Sequence, residues 1–497
     1  MEMHARREEK RKQKADFPPG SIVTPSPQQN SAQNAEKQVK SGKLSIMSRF
    51  KFRPTVPRIL ALGYLGVILL GSFLLSLPIS SKTGEWTPYI NALFTSTSAT
   101  CVTGLIAYDT FMHWTAFGQV VIILLIQVGG IGFMTVVTLF SFALGRRIGL
   151  YERVILAQSA GAMGRSGVVR LVKRIIIFTF SVELAGAFLL MIRFIPEFGA
   201  GRGIWFSVFH SISAFCNAGF DLMGAKGTAF ASLTSYSDDA LVNLTICALI
   251  VVGGMGYVVW SDIWDKKFRY RKYRLHTRIV LWATLILVFV PALLIYAFEH
   301  NGVLAGMGPG ESFLACLFQS ITPRTAGFNT VPLGELSDST LFLMDILMLI
   351  GGNSGSTAGG IKVTTIVVVL FGLYSSVRGE RDITIGKRSV DLSLVKQAMS
   401  LCAIYLILTM LAVLIICAIE PEENNATLSV VLFECCSAIC TVGVTTGITP
   451  SLTVGSKIIL ILLMYAGRVG VLTLAGAMMT KRKASLTRRP HEKILIG

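Results

Sequence analysis

Four short phrases in this 497-residue chain end alike. The first is Ser98-Ala99-Thr100-Cys101-Val102-Thr103-Gly104-Leu105, and the second is Ser213-Ala214-Phe215-Cys216-Asn217-Ala218-Gly219-Phe220. The fourth is Ser437-Ala438-Ile439-Cys440-Thr441-Val442-Gly443-Val444. The third, Ser320-Ile321-Thr322-Pro323-Arg324-Thr325-Ala326-Gly327-Phe328, has one extra residue and Pro323-Arg324 in place of the cysteine. Their glycines stand 115, 108 and 116 residues apart. The chemistry such tips can do is coordination by main-chain oxygens. Successive carbonyls can replace the water around a dehydrated cation. Glycine is needed there because alternating carbonyl directions call for φ values that a Cβ resists. A glycine can also serve close helix packing, but four in one register favour coordination. The expected coordinating set is therefore Val102, Thr103, Gly104, Asn217, Ala218, Gly219, Thr325, Ala326, Gly327, Thr441, Val442 and Gly443.

A second landmark follows each phrase: Gly129-Gly130-Ile131-Gly132, Gly253-Gly254-Met255-Gly256, Gly351-Gly352 and Gly467-Arg468-Val469-Gly470. The gaps from tip glycine to landmark are 25, 34, 24 and 24 residues. Two landmarks in one order, four times, imply a repeated unit. Ahead of each tip lies an apolar stretch too short to span a bilayer, near 88–100, 204–215, 310–321 and 427–438. These read as re-entrant half-helices. Entering from outside, each would aim its carbonyl end, with about half a negative charge, at a shared axis.

The elements that must hold these tips are long apolar helices. Composition demands a membrane: 52% of residues are hydrophobic and 15% charged, against roughly 25% charged in soluble domains. Eight runs reach spanning length, at 57–79, 114–144, 172–196, 238–261, 277–299, 339–373, 398–419 and 453–480. The landmark glycines are placed inside the longer runs. The net charge of +18 is an orientation signal, since 38 of the 46 Lys and Arg fall in the two ends and in 145–175, 262–278 and 374–396. Basic loops stay in the cytoplasm. Both termini are expected inside, in a multi-pass protein of the cell (inner or plasma) membrane, with membrane lipids rather than nucleic acid as partners. The expected fold is all-α, four tandem helix–pore-helix–filter-loop–helix repeats around one central pore. The expected divisions are a basic disordered tail at 1–50, repeats at 51–145, 146–262, 263–374 and 375–480, and a tail at 481–497. Nine scattered cysteines give neither metal-ligand spacing nor a disulfide framework. No nucleophile triad, phosphate loop or histidine cluster supports an enzyme.

Two polar features interrupt the spans. Residues 351–362 run Gly351-Gly352-Asn353-Ser354-Gly355-Ser356-Thr357-Ala358-Gly359-Gly360-Ile361-Lys362 within an apolar run. A continuous helix there would lose about 1 kcal/mol per glycine. An unwound segment lining a cavity is the expectation, with a kinked helix as its rival. Arg468, costing roughly 2.5–3.5 kcal/mol at a helix centre, should face the pore or a carboxylate, Glu434 and Asp345 being available. Asp109 and Asp221 follow their tips and are read as outer-mouth charges or as local caps. Asn425-Ala426-Thr427 fits a glycosylation pattern.

On these residues the chain resembles the Trk/Ktr/HKT superfamily of potassium transporters from about residue 55 to 480. The four phrases are similar to its selectivity-filter loops, 351–362 to its third-repeat gating loop, and Gly467-Arg468-Val469-Gly470 to its fourth-repeat arginine motif. One spanning helix ahead of the first half-helix resembles the Ktr membrane subunit. Some sodium-passing plant relatives have serine at the position of Gly104. The resemblance implies potassium uptake through a channel-like pore, potassium as the transported ion, and stimulation by sodium. It also implies a homodimer and a cytosolic, nucleotide-binding regulatory ring. The gate would comprise Gly351, Gly352, Asn353, Ser354, Gly355, Ser356, Thr357, Ala358, Gly359, Gly360 and Lys362, with Arg468 as a pore charge. The alternative is a sodium-permeable cation transporter of the same fold.

Overall fold

A computed structural model describes residues 55–132, 135–136, 168–267, 269–380, 383–385, 388–424 and 426–478. The two ends, Asn425 and most of 133–167 lie outside the described residues, so the readings of the basic tail and of the glycosylation pattern fall there. In chain order the main helices are α1 (Val56–Ser76), α2 (Tyr89–Cys101), α3 (Ala116–Ile131), α4 (Val168–Phe198), α5 (Ala200–Cys216), α6 (Ala240–Gly254) and α7 (Tyr257–Lys266). Then come α8 (Leu275–Glu299), α9 (Pro309–Ile321), α10 (Asp338–Leu349), α11 (Val363–Val377), α12 (Leu392–Ile419), α13 (Leu428–Ile439), α14 (Val454–Val469) and α15 (Val471–Met478). A two-stranded hairpin, Ile383–Ile385 with Arg388–Val390, follows α11.

Four helices among the described residues are long and apolar enough to cross a bilayer unbroken: α1, α4, α8 and α12. They leave large apolar side chains facing outward, such as Leu69, Phe188, Leu293 and Leu414, as helices bathed in lipid do. The other four expected spans are not continuous helices; the break at 351–362 was expected, and those in the other three correct the sequence reading. α6 and α7 meet at 93°, and α14 and α15 at 95°. α3 ends at Gly132, and the run 339–373 is split into α10 and α11. The breaks fall on the landmark glycines. Gly132, Gly256 and Gly470 hold φ of +91°, +94° and +88°, a conformation outside any α-helix and costly for a side chain. Hydropathy registers only the apolar run and not the turn.

Helix starts are fixed locally. Thr115, Asp239, Ser337, Asp391 and Thr453 each accept a backbone N–H in the first turn of α3, α6, α10, α12 and α14, supplying N-terminal partners the helix itself lacks. Acids at the ends of preceding helices reinforce two of these starts. Glu299 accepts from the Ser337 N–H at 3.0 Å and the Ser337 hydroxyl at 2.6 Å. Glu420 accepts from the Thr453 N–H at 3.0 Å and its hydroxyl at 2.7 Å. These links tie α8 to α10 and α12 to α14, so that these two long helices brace the helices leading to or holding their landmarks.

Candidate functional site

The four half-helices are α2, α5, α9 and α13, within about four residues of the expected limits at every end. Each ends in a turn that sequence reasoning did not foresee. Two residues before each tip glycine, the backbone is left-handed: Val102 at φ +59°, Asn217 at +61°, Thr325 at +69° and Thr441 at +51°. For L residues this conformation costs roughly 1–2 kcal/mol each, and three of the four are β-branched. The tip glycines follow at +103°, +70°, +84° and +96°, the positive φ expected of them. Strain repeated four times at one depth must be imposed by the surrounding structure.

The imposing bonds are regular. The Thr103, Ala218 and Val442 N–H groups donate to the Ser98, Ser213 and Ser437 carbonyls at 2.8, 2.7 and 2.8 Å, a Schellman closure of the half-helix. In the third copy the extra residue changes this to Ala326 N–H on the Thr322 carbonyl at 2.9 Å. Three phrase serines, and Thr322 in the third copy, then lock the tips in two ways. Ser98 and Ser437 hydroxyls accept the N–H of Gly104 and Gly443, both at 3.0 Å. Ser213 donates instead to the Phe220 carbonyl at 2.7 Å, and Thr322 to the Phe328 carbonyl. Three residues ahead of the phrase serine, His210 Nε2 accepts the Leu222 N–H at 3.3 Å. At the same offset Glu434 accepts from the Thr445 and Thr449 hydroxyls. Aligning the phrases on their serines would have exposed both of these latches.

The four tips meet. A Cβ added at Gly104 would lie 2.6 Å from the Ala218 oxygen, and one at Gly219 would lie 2.7 Å from Gly327 Cα. One at Gly327 would lie 2.7 Å from the Val442 oxygen, and one at Gly443 would overlap the Thr103 oxygen. The contacts run 104 to 219 to 327 to 443 and back to 104, a closed ring in chain order. Behind it, Cβ atoms at Gly129, Gly253 and Gly467 would overlap the carbonyl oxygens of Thr100, Phe215 and Ile439. The first landmark glycine thus lets α3, α6 and α14 press on the ends of α2, α5 and α13. Cys101, Cys216 and Cys440 are buried and unbridged.

The segment 351–362 is unwound, as its composition predicts. Its ends are joined by an Ile350–Ile361 bridge and by the Val363 N–H on the Gly352 oxygen at 3.1 Å. Between them it lies against the base of the ring. Asn353 gives its backbone N–H and its amide to the Gly254 oxygen, at 3.1 and 3.0 Å. The Tyr257 N–H bonds the Gly355 oxygen at 2.8 Å. The Thr357 hydroxyl donates to the Phe215 oxygen at 3.3 Å. A Cβ on Gly359 would overlap the Thr441 hydroxyl oxygen. Lys362 Nζ donates back to the Ala358 and Gly359 oxygens at 2.6 and 2.9 Å. The elbow between α6 and α7 is therefore the cradle of this segment.

Arg468 finds neither acid offered to it. Its guanidinium donates to the carbonyls of Thr357, Gly129 and Gly130, because the breaks in α3 and in 351–362 leave oxygens without helical partners. One side chain on α14 thereby joins α3 to the unwound segment. Asp345 is buried with Oδ1 unpaired among the described residues. Glu183, an acid within α4, accepts two bonds from Gln127 at 3.1 and 3.2 Å. Asp109 caps its own turn, accepting from the Phe111 and Met112 N–H groups, and also accepts the distant Phe230 N–H at 2.9 Å, while Asp221 accepts from the Met223 N–H at 2.9 Å. Arg324 is buried, and its Nε has no partner among the described residues, so that atom anchors no carbonyl.

Comparison with known proteins places this arrangement. The family described as TrkH, cation transport protein, matches residues 66–484. The chain belongs to the Trk/Ktr family. It is 39% identical over 448 residues to the Ktr system potassium uptake protein B of Bacillus subtilis, covering 90% of this chain and 97% of that protein. It is 37% identical over 452 residues to the potassium/sodium uptake protein NtpJ of Enterococcus hirae, covering 90% and 99%. In structure it is similar to the potassium transporter TrkH of Vibrio parahaemolyticus, with a TM-score of 0.64, 20% identity and 84% of each chain covered. This last likeness shows a shared helical membrane fold. The family is one of cation transporters rather than enzymes, and the chain falls on its Ktr side.

Proposed function

We propose that this chain takes up potassium across the cell membrane through one pore. The tip segments 102–104, 217–219, 325–327 and 441–443 are its backbone filter. The reading is supported most by the closed ring of Gly104, Gly219, Gly327 and Gly443. Half-helix carbonyl ends aimed at that ring make a well of negative potential. Carbonyls on a strained, pre-formed turn replace hydration water without rearranging first. Four tandem repeats with the expected boundaries carry the tips. Counting α3, α6, α10–α11 and α14 each as one crossing, with α7 and α15 bent aside at 93° and 95°, gives eight crossings with both termini inside. The segment 351–362 is the gate. A cytosolic nucleotide-binding subunit that controls it, and a homodimeric assembly, are in keeping with membership of a Ktr system. Sodium stimulation belongs to the same reading. The second reading, a sodium-permeable transporter, draws on the name of the Enterococcus relative.

Rubidium uptake into liposomes containing the purified chain separates the two. Unlabelled potassium should suppress it at a concentration at least about tenfold below that needed of sodium, a difference of about 1.4 kcal/mol in site affinity. Equal competition by the two ions would replace the first reading by the second.

Arg468 adds a further test. It places a full charge beside the gate and holds Thr357 to Gly129. An Arg468→Ala variant loses both the barrier and the tie, and rubidium flux should rise by about three- to tenfold. Slower flux in a variant with unchanged thermal stability would contradict a gating role for the arginine.

A further inference from the structure

The 93° elbow at Gly256 has a second consequence, on the lipid side of the molecule. It swings α7 away from α4 and opens a wedge of about 380 Å³ between them. Its walls include Phe178 on α4 and Tyr257, Trp260 and Trp264 on α7, and its lip carries Arg174 and Ser261. If α6 crosses the bilayer, a helix at right angles to it runs along the membrane surface. α7 has the make-up of such a helix: Trp264 is 75% exposed, while Val259 and Ile263 are buried on the other side. Tryptophans at this level are the usual anchors of a membrane interface.

We propose that this wedge is a binding site for an anionic phospholipid, one acyl chain lying between α4 and α7 and the phosphate at Arg174. The charge at the lip selects the occupant. Arg174 Nη1 already serves Asp265 at 2.9 Å and Ser261 at 3.4 Å. Its Nη2 and Nε make no hydrogen bond among the described residues, which leaves the paired donors that suit a phosphate. The Arg174–Asp265 ion pair is about half exposed on both sides, and such pairs are worth little, so it does not compete strongly. Arg170 stands one turn earlier on the same face of α4, and Lys173 beside it. The nearby acid Asp262 is itself taken by Lys266 at 2.6 Å and by the Thr277 hydroxyl at 2.8 Å. The wall is also mechanically connected. Trp260 Nε1 donates at 2.9 Å to the Val252 carbonyl, in the last turn of α6. The first N–H of α7 is the one bonded to Gly355. A lipid in the wedge would therefore rest on the helix that cradles segment 351–362.

The test uses the full chain in phosphatidylcholine vesicles containing a minor fraction of brominated phosphatidylglycerol or, separately, brominated phosphatidylcholine. Quenching of Trp260 and Trp264 is read as the difference between the wild type and a Trp260→Phe/Trp264→Phe variant. Brominated phosphatidylglycerol should give about fivefold higher apparent occupancy than brominated phosphatidylcholine at equal fraction. Arg174→Ala should abolish the excess, Arg174→Lys should keep only a minor part of it because lysine lacks the paired donors, and Asp265→Asn should enlarge it. Equal quenching by both lipids in the wild type overturns the proposal. So does an undiminished excess in Arg174→Ala, or shielding of both tryptophans from either lipid, which would mean that protein, such as a second copy, fills the wedge.

Discussion

Rubidium uptake should fall by at least about a hundredfold in a Gly443→Asp variant, the loss expected when a barrier rises by about 3 kcal/mol. Two effects combine at that position. The residue sits at φ +96°, where a side chain is strained by roughly 1–2 kcal/mol. In addition, a Cβ would overlap the Thr103 oxygen and lie 2.8 Å from Gly104 Cα, so the fourth tip must retreat from the first. The two effects can be separated by a matched control. Gly447 has φ +105° but nothing within 4 Å of a Cβ. Gly447→Ala carries the backbone strain without the collision, and should keep most of the uptake. Gly443→Ala carries both, and should lose it. Surface expression and thermal stability, measured on all three, keep a folding failure from passing as a transport failure. Uptake in Gly443→Ala equal to that in Gly447→Ala would show that the tips need not touch, and the filter reading would fall.

Gly443 was legible because its chemistry is local: a tip glycine after a short apolar half-helix, found four times at near-equal spacing. The half-helix limits and the unwound stretch at 351–362 were legible for the same reason, since periodicity and helix-breaking residues lie on the surface of the text. What the residues did not disclose was relational. Gly129, Gly253 and Gly467 read only as glycines inside the longer apolar runs, yet each presses on a half-helix carbonyl. Their companions Gly132, Gly256 and Gly470 break the helix outright. A sum over hydropathy is blind to φ. Arg468 was offered either the pore or the carboxylates of Glu434 and Asp345, because acids are the partners visible in a sequence. Its real partners are carbonyls that exist only once two helices have broken. Val102, Thr325 and Thr441 gave no warning either, since β-branched residues argue against the left-handed turn they adopt. Only the bonds closing the half-helix ends account for them.

Those broken helices also fix what removal of residues 354–359 should do. The bridge between Ile350 and Ile361 and the bond from Val363 to Gly352 hold the feet of the segment side by side. A shortened segment can therefore close without pulling α10 from α11. The deletion removes Gly355, the partner of Tyr257, and Thr357, which binds both Phe215 and Arg468. It also removes Gly359, the residue lying against Thr441 at the base of the ring. The bonds of Asn353 to Gly254 remain, as does the contact of Arg468 with Gly129. The contacts with Tyr257, Phe215, Arg468 and Thr441 are lost, while Gly360 beside Cys440 and the bonds of Asn353 are kept. Rubidium flux in liposomes should rise by at least about tenfold, as for a barrier lowered by about 1.4 kcal/mol or more. The rise should exceed that of Arg468→Ala, which leaves the segment in place. Combining the two changes should add little, because both act on one obstruction. Unchanged flux in a folded, correctly inserted deletion variant would mean that the segment lines the route without closing it. Full additivity with Arg468→Ala would mean that the arginine and the segment resist the ion separately.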